Sequence, residues 1–284
     1  MKNLYLSLAA NTLFLVFTAK TILAQEANPS TVHLLDFNPL MQPFYHGVAS
    51  GDPLSDRVIL WTRVTPDTNS PATIPVDWKI ATDTNITNVI NSGNVTTDAS
   101  MDYTVKIDAT GLQANSVYYY QFTALGKTSV IGRTKTTPVG DVDSLRFAVV
   151  SCAQYEVGYF NAYSAIKKGN DVDAVIMLGD YIYEYETGGF GSAIRQWQPD
   201  SEIVALADYR TRYSTYHLDK DLRQLHQQFP WIIVWDDHET ANDSWEGGAE
   251  NHDASEGDWF ARKDAGIEAH HEWLPIRIIA NDTH

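Results

Sequence analysis

Three apolar runs in the second half of the chain constrain its fold more than any other feature of the sequence. They are rich in aliphatic and aromatic residues and span residues 145–153, 173–180 and 231–239. The segments between them, residues 158–170 and 201–228, carry apolar side chains at helical spacings. Continuous apolar strands that alternate with helices are typical of parallel sheets, whose two faces are both covered. The pattern therefore predicts an α/β domain.

Each apolar run ends in polar side chains. Cys152 stands at the end of the first run, Asp180 at the end of the second, and Asp236, Asp237 and His238 at the end of the third. Because the carboxyl ends of parallel strands lie on one edge of a sheet, where ligands bind, we expect these side chains to converge. Carboxylates that face one another away from water need a compensating charge, which a divalent or trivalent cation supplies. The sequence therefore predicts a metal site at this edge.

A tyrosine and a thiol narrow the choice of metal. The turn after Asp180 brings the phenol of Tyr183 back toward the same point, and a phenolate near neutral pH requires a strongly Lewis-acidic ion such as Fe(III). A cation also lowers the pKa of a thiol and binds the thiolate, so Cys152 fits the same ion. We expect Asp180 to be shared between ions and Asp237 to hold the second one. His238 would be free for acid–base chemistry.

Residues 42–138 have a different sequence pattern, in which short segments rich in β-forming residues are separated by Gly, Pro, Asn and Asp. The predicted strands are residues 57–64, 76–82, 103–108 and 112–122. In the last of them, alternate side chains from Leu112 to Phe122 lie on one face. This strand resembles strand F of fibronectin type III domains, with Tyr118 in the position of their corner tyrosine and Trp61 as a candidate core tryptophan. A small β-sandwich is favoured over a half-buried hairpin.

The first residues resemble a secretory signal peptide. Lys2 precedes an apolar stretch at residues 13–17, and the small residue Ala24 marks a cleavage site. The uninterrupted apolar run is too short for a transmembrane anchor. We expect a signal peptide over residues 1–24, a polar leader over residues 25–41, and a secreted, periplasmic or cell-surface protein with no membrane span after cleavage.

The charge of the chain argues against a nucleic-acid-binding protein, and its cysteine content excludes a disulfide-stabilised one. The chain has 36 acidic residues against 20 Lys and Arg, a net charge of −16, and no basic cluster. A stable nucleic-acid partner is therefore not expected, because binding to a phosphate backbone needs clustered basic residues. Cys152 is the only cysteine, so no intrachain disulfide can form. A free thiol in an oxidising compartment needs a reason, such as burial or a metal.

The motifs together resemble those of the PhoD-like alkaline phosphatases, a branch of the metallophosphoesterase superfamily. "FYHGVASGDPLSDRVILWTRVTP" is similar to the start of that family's N-terminal β domain. "SCAQYEVGYFNAY", "GDYIYEYE" and "VWDDHETAND" are similar to its catalytic-domain motifs. The resemblance implies a multidomain fold: a fibronectin-III-like sandwich at residues 42–138, followed by the N-terminal half of an αββα metallophosphoesterase domain at residues 145–284.

The resemblance also implies roles for the site residues. Cys152, Asp180 and Tyr183 would bind Fe(III), Asp180 and Asp237 would bind Ca(II), and His238 would be the catalytic histidine outside the metal shell. The implied reaction is hydrolysis of phosphate mono- or diesters by a metal-bound hydroxide. His238 would then stabilise the transferring phosphoryl group or protonate the leaving group.

Three alternatives stay open. A phospholipase D-like diesterase would use the same scaffold. A noncatalytic, secreted Ca(II)-binding or adhesive protein would fit the acidity, although calcium prefers oxygen ligands and has no use for a thiolate. A glycosidase using Asp236 and Asp237 is disfavoured, because adjacent residues of a strand point to opposite faces.

The end of the chain leads to further expectations. The superfamily completes its site with ligands from later strands, so the chain as written is expected to hydrolyse phosphate esters poorly or not at all. The run at residues 231–235 would be the last strand and would leave an unpaired sheet edge. His270 and His271 are candidate replacement ligands, but their place on a polar helical segment favours solvated side chains.

Overall fold

The computed structural model describes residues 37–278. The predicted signal peptide and most of the predicted leader lie outside the described residues. Within them, eleven strands, four α-helices and three short 3₁₀ helices follow one another. The strands are β1 Val48–Gly51, β2 Arg57–Arg63, β3 Thr73–Ala81, β4 Val89–Asp98, β5 Thr104–Thr110, β6 Val117–Ala124, β7 Lys127–Thr128, β8 Gly132–Lys135, β9 Phe147–Val150, β10 Ala174–Met177 and β11 Pro230–Ile233. The α-helices are α1 Asn161–Gly169, α2 Leu206–Leu218, α3 Lys220–Gln228 and α4 Trp259–Trp273.

A six-stranded mixed sheet carries the candidate site. Its strand order is β5-β2-β1-β11-β10-β9. Strands β9, β10, β11 and β1 are parallel to their neighbours in this list, whereas β1–β2 and β2–β5 are antiparallel. The predicted α/β arrangement of parallel strands and connecting helices is therefore confirmed. The predicted helical segment at residues 201–228 contains two helices, because Asp219 ends α2 and accepts hydrogen bonds from the first backbone N–H groups of α3.

Strand β11 does not lie at an edge of the sheet, so the prediction of an unpaired edge there is wrong. It pairs with β10 on one side and with β1 on the other. The N-terminal half of the chain thus supplies the partner that the sequence pattern did not reveal: Ser50 aligns with Pro230 and Gly51 with Trp231. Among residues 37–278, the edge strands of this sheet are β5 and β9.

The second sheet packs on the N-terminal part of the first. Its order is β4-β3-β6-β7, with β8 also paired to β6. Side chains of β2 and β5 share one core with those of β3 and β6, as expected for two stacked sheets. The backbone N–H of Gln113 donates to the hydroxyl of Tyr118 at 2.8 Å, a bond of the kind that a corner tyrosine makes. The specific likeness to fibronectin type III stays a prediction.

Trp61 is fully buried, but not in the core where the sequence placed it. Its neighbours in β2, Val58 and Leu60, face the sandwich. Trp61 instead packs among the aromatic residues of the α/β part, with ring centroids 4.7 Å from His217 and 5.9 Å from Trp273. Because β2 belongs to the sheet that both parts share, its two faces enter two different cores.

Candidate metal centre

The site lies where β9, β10 and β11 end. The two loops that follow β9 and β10 are joined by backbone hydrogen bonds: the N–H of Cys152 donates to the carbonyl of Gly179 at 3.2 Å, and that of Ala153 to the carbonyl of Asp180 at 2.9 Å. Cys152 and Asp180 both have φ +55°, the left-handed region that residues other than glycine rarely adopt. Uncommon backbone conformations of this kind cluster at functional sites.

Gly179 lets the loop after β10 approach the loop after β11. Its φ is +107°, and a Cβ at this position would lie 2.4 Å from the backbone nitrogen of Asp236 and 2.6 Å from its Cβ. No larger residue fits without moving one of the loops. The glycine of the "GD" pair therefore brings Asp180 and Asp237 close to each other.

Asp180, Asp237 and His238 form one cluster. Each offers a ligand atom, and these atoms lie within 4.8 Å of one another. The Oδ1 atom of Asp180 is buried and accepts no hydrogen bond from the residues of the described region. Burial raises the pKa of Asp180, although His238 and hydrogen bonds from Cys152 and Tyr183 act in the opposite direction. A buried carboxylate oxygen without a partner is costly, and a cation would remove that cost.

Tyr183 lies over the cluster, as predicted. Its hydroxyl donates to Oδ2 of Asp180 at 3.2 Å, and its ring centroid is 4.3 Å from that of His238. Burial, together with the neighbouring carboxylate of Asp180, raises the pKa of Tyr183. The phenol is therefore protonated unless a cation replaces its proton.

Cys152 lies beside Asp180 but outside the cluster of three. It is exposed, so burial does not account for a free thiol at this position. Asp236 is also exposed, and its backbone N–H donates to Glu239. Of the residues predicted for the site, the structure groups Asp180, Asp237, His238 and Tyr183, with Cys152 at the margin.

A buried carboxylate holds His238. The Nδ1 of His238 donates to Oε2 of Glu184 at 2.8 Å, and Glu184 has no exposed surface. Its other oxygen, Oε1, accepts from the backbone N–H of Asn242 at 2.8 Å and from Nδ2 of Asn251 at 2.9 Å. Burial lowers the pKa of His238, but the hydrogen bond to Glu184 and the carboxylates of Asp180 and Asp237 outweigh it and raise the pKa above its usual value. Nε2 is the nitrogen left for chemistry.

Glu239 ties two loops of the site together. One of its oxygens accepts from the backbone N–H of Tyr181, after β10, and the other from that of Asp236 at 2.9 Å, after β11. The side chain is fully buried, and burial raises its pKa to about 7. Since Tyr181 adjoins Asp180 and Asp236 adjoins Asp237, this one carboxylate fixes the spacing of the two cluster carboxylates.

The prediction that His270 is solvated is wrong. His270 is buried, and its Nδ1 lies 3.1 Å from the hydroxyl of Tyr213. Burial lowers its pKa to about 3, so it stays neutral. The reason is that α4 packs on α2, which places one face of a mostly polar helix in the core. His271 is half-buried, on the wall of a separate cavity. Neither histidine belongs to the cluster.

Sequence reasoning missed Glu184, Glu239, Asn242 and Asn251. A signal existed for two of them, since Glu184 stands within "GDYIYEYE" and Glu239 directly follows His238. Acids so close to apolar strands need partners when buried. Their partners come from distant loops, however, so their role in orienting the site depends on the fold.

Comparison with known proteins gives matches over most of the chain. Residues 147–284 match the family described as PhoD-like phosphatase, and residues 28–138 match the PhoD-like phosphatase N-terminal domain. The chain is 39% identical over 245 residues to alkaline phosphatase D of Bacillus subtilis (strain 168), an alignment that covers 83% of this chain and 42% of that protein.

Solved structures give a similar result. A structure of PhoD superposes with a TM-score of 0.78 at 38% identity and covers 85% of this chain and 48% of that chain. The purple acid phosphatase PPD1 from yellow lupin superposes with a TM-score of 0.51 at 13% identity, which is a likeness of fold alone; it covers 84% of this chain and 42% of that chain. The chain thus spans about half the length of the relatives it matches.

Proposed function

Because the chain belongs to the PhoD-like phosphatase family, we propose that it takes part in the metal-dependent hydrolysis of phosphate mono- or diesters outside the cytoplasm. The observation that carries this proposal is the cluster of Asp180, Asp237 and His238 at the ends of adjacent strands. Within the described region no α-helix is long and apolar enough to cross a membrane.

The residues of the cluster fit metal ions. Oδ1 of Asp180 is buried without a hydrogen-bond partner in residues 37–278, and Tyr183 and Cys152 lie beside this carboxylate. We assign Cys152, Asp180 and Tyr183 to Fe(III), since phenolate and thiolate suit an acidic transition-metal ion. Asp180 and Asp237 are assigned to Ca(II), which prefers oxygen ligands. Bound cations would supply water activation and neutralisation of the phosphate oxygens.

The chain's own groups would supply orientation and a proton. Glu184 accepts a hydrogen bond from Nδ1 of His238 and fixes the ring, and the ring of Tyr183 covers one side of it. Nε2 of His238 is then available to protonate a leaving-group oxygen or to contact the phosphoryl group. Glu239 keeps the carboxylates of the two loops in register.

Two other functions are kept as alternatives. A phospholipase D-like diesterase would use the same cluster on phospholipids. A noncatalytic Ca(II)-binding protein would need only Asp180 and Asp237, and the exposure of Cys152 favours it mildly.

Side-by-side assays separate these functions. The chain, by itself and extended to a full catalytic domain, is stripped of metal with a chelator, reloaded with Fe(III) and Ca(II), and given p-nitrophenyl phosphate, bis(p-nitrophenyl) phosphate and phosphatidylcholine. Turnover is expected in the extended form. Metal-dependent release of p-nitrophenol supports the proposal, and Asp180→Asn should abolish it. Asp141→Asn, in an exposed loop, is the matched control and should leave it unchanged. Calcium binding with no hydrolysis of any ester would favour the noncatalytic alternative.

A further inference from the structure

A cavity of about 290 Å³ opens beside the cluster, near the lower end of the roughly 300–1,000 Å³ typical of small-molecule sites. Asp237 belongs both to the cluster and to the cavity wall. The remaining lining residues are Trp235, Asp236, Thr240, Ser244, Trp245, Trp259 and Lys263. A group attached to a phosphate held at the cluster would therefore extend into this cavity.

One wall of the cavity is a closed loop, residues 242–251, which we call the Trp245 loop. Its two ends meet, because the backbone N–H of Glu250 donates to the carbonyl of Asn242 at 3.1 Å. Both ends also bind Glu184, through the N–H of Asn242 and Nδ2 of Asn251. Since Glu184 also holds His238, one carboxylate fixes the loop relative to the candidate catalytic ring.

Trp245 forms an exposed aromatic surface on this loop. Its side chain is 59% exposed, but the indole packs closely against Gly248. A Cβ added to Gly248 would lie only 2.6 Å from the Cζ2 atom of Trp245. The backbone N–H of Trp245 donates to the carbonyl of Gly248 at 2.8 Å. A rigid, exposed indole offers stacking area at low entropic cost, and heteroaromatic rings stack on such surfaces.

Lys263 is the one basic residue of the cavity wall. It forms no ion pair with any residue in the described part of the chain, although Asp236 and Asp237 line the same cavity. An unpaired ammonium beside a phosphate-ester site suits a second anionic group. It disfavours a cationic substituent such as choline, which the tryptophans and carboxylates alone would accept.

We propose that this cavity is a substituent subsite that selects nucleotide-type esters, with an aromatic base against Trp245 and a second phosphate on Lys263. The placement of the reacting phosphate rests on the proposed function. Recognition by Trp245 and Lys263 can be measured without turnover, so the two ideas can fail separately.

The first experiment measures binding by calorimetry in the presence of Ca(II). Thymidine 3′,5′-bisphosphate should bind more tightly than thymidine 5′-phosphate, and both more tightly than inorganic phosphate. Trp245→Leu should weaken both nucleotides by about tenfold, a loss typical of one base stack, and leave phosphate unchanged. Lys263→Met should weaken binding of the bisphosphate alone, by about tenfold or more, as expected for one hydrogen bond to a charged group.

Matched controls are available on the surface. Phe260→Leu replaces an aromatic residue that is 57% exposed and outside the cavity wall, and Lys168→Met replaces an exposed lysine on α1. Both should bind all three compounds like the parent protein. Equal affinity for nucleotides and inorganic phosphate in the parent protein, or no effect of either cavity variant, overturns the proposal.

The second experiment measures turnover with three esters that share the p-nitrophenol leaving group: methyl p-nitrophenyl phosphate, thymidine 5′-(p-nitrophenyl phosphate) and its 3′-phosphorylated form. KM should fall in that order. Hydrolysis of all three without preference supports the proposed function and overturns the subsite. Selective nucleotide binding without hydrolysis supports the subsite and counts against the proposed function. Preference for p-nitrophenylphosphorylcholine over the thymidine esters also overturns the assignment of Lys263.

Discussion

The imidazole of His238 donates a 2.8 Å hydrogen bond to Glu184, a carboxylate that no solvent reaches. The two residues are 54 positions apart in sequence, on the loops that follow β11 and β10. A buried carboxylate on Nδ1 fixes the direction in which Nε2 points. The pair therefore links the two loops that carry the candidate metal ligands.

Replacing His238 by Ala should lower turnover of aryl phosphate esters by on the order of a hundredfold or more, the range typical of acid–base and charge-stabilising groups. The bound metal, measured by elemental analysis, should stay near the parent level, because we assign the ligands to other residues. Asp237→Ala is the comparison and should lose metal. If His238→Ala lost its metal while Asp237→Ala kept it, the two roles would be reversed.

Iron bound by the Tyr183 phenolate should colour the loaded protein. A broad ligand-to-metal band in the visible spectrum is expected, and Tyr183→Phe should remove or shift it. Tyr185→Phe is the matched control, since the Tyr185 ring also lies near His238, with centroids 5.5 Å apart, but is not assigned to the metal. A colourless, fully active protein that contains only calcium would refute the iron assignment.

Gly179→Ala should destabilise the protein by about 2–4 kcal/mol, since it combines a strained positive φ with overpacking against Asp236. Urea unfolding followed by circular dichroism measures the free energy of unfolding. Gly140→Ala shares the positive φ but has nothing within 4 Å of the added methyl group, so it isolates the backbone strain. An equal, small loss in both variants would show that the contact with Asp236 is unimportant.

Stability should fall as the pH drops below about 6.5, the value for a histidine in an unfolded chain. Burial lowers the folded-state pKa of four histidines: His46, His217, His226 and His270. Below pH 6.5 these histidines bind protons in the unfolded chain but not in the folded chain. Each of them therefore lowers the free energy of unfolding by on the order of 1 kcal/mol per pH unit, until the pH reaches its folded-state pKa. Groups whose folded-state pKa is raised, among them His238 and Glu239, oppose this trend, but the large downward shifts of the four buried histidines outweigh them.

Urea unfolding at pH 8, 6.5, 5.5 and 5 tests the expected acid sensitivity. His270→Gln retains a polar partner for Tyr213 and removes one titrating group, so its stability should depend less steeply on pH. Stability that is flat or rises between pH 6.5 and 5 would contradict the prediction.

The sequence by itself determined the local structure and the chemistry at the strand ends. Continuous apolar runs between helical segments predict parallel strands, and the polar residues at their ends share one edge because parallel strands point the same way. Asp180 and Asp237 could therefore be placed near each other without coordinates. Tyr183, three residues after Asp180, followed from the same turn. That Phe147 and Val149 of the edge strand β9 are exposed did not follow from the pattern.

Only the tertiary structure decided which residues from distant segments meet. Strand β1 pairs with β11, Trp61 enters the α/β core, and His270 is buried against Tyr213. The links from Glu184 to His238 and to the Trp245 loop arise in the same way. The local sequence pattern indicates whether a side chain can be buried. The residue that it then contacts depends on how the sheets and helices pack. Contacts between residues far apart in sequence leave no periodic signal in a single chain.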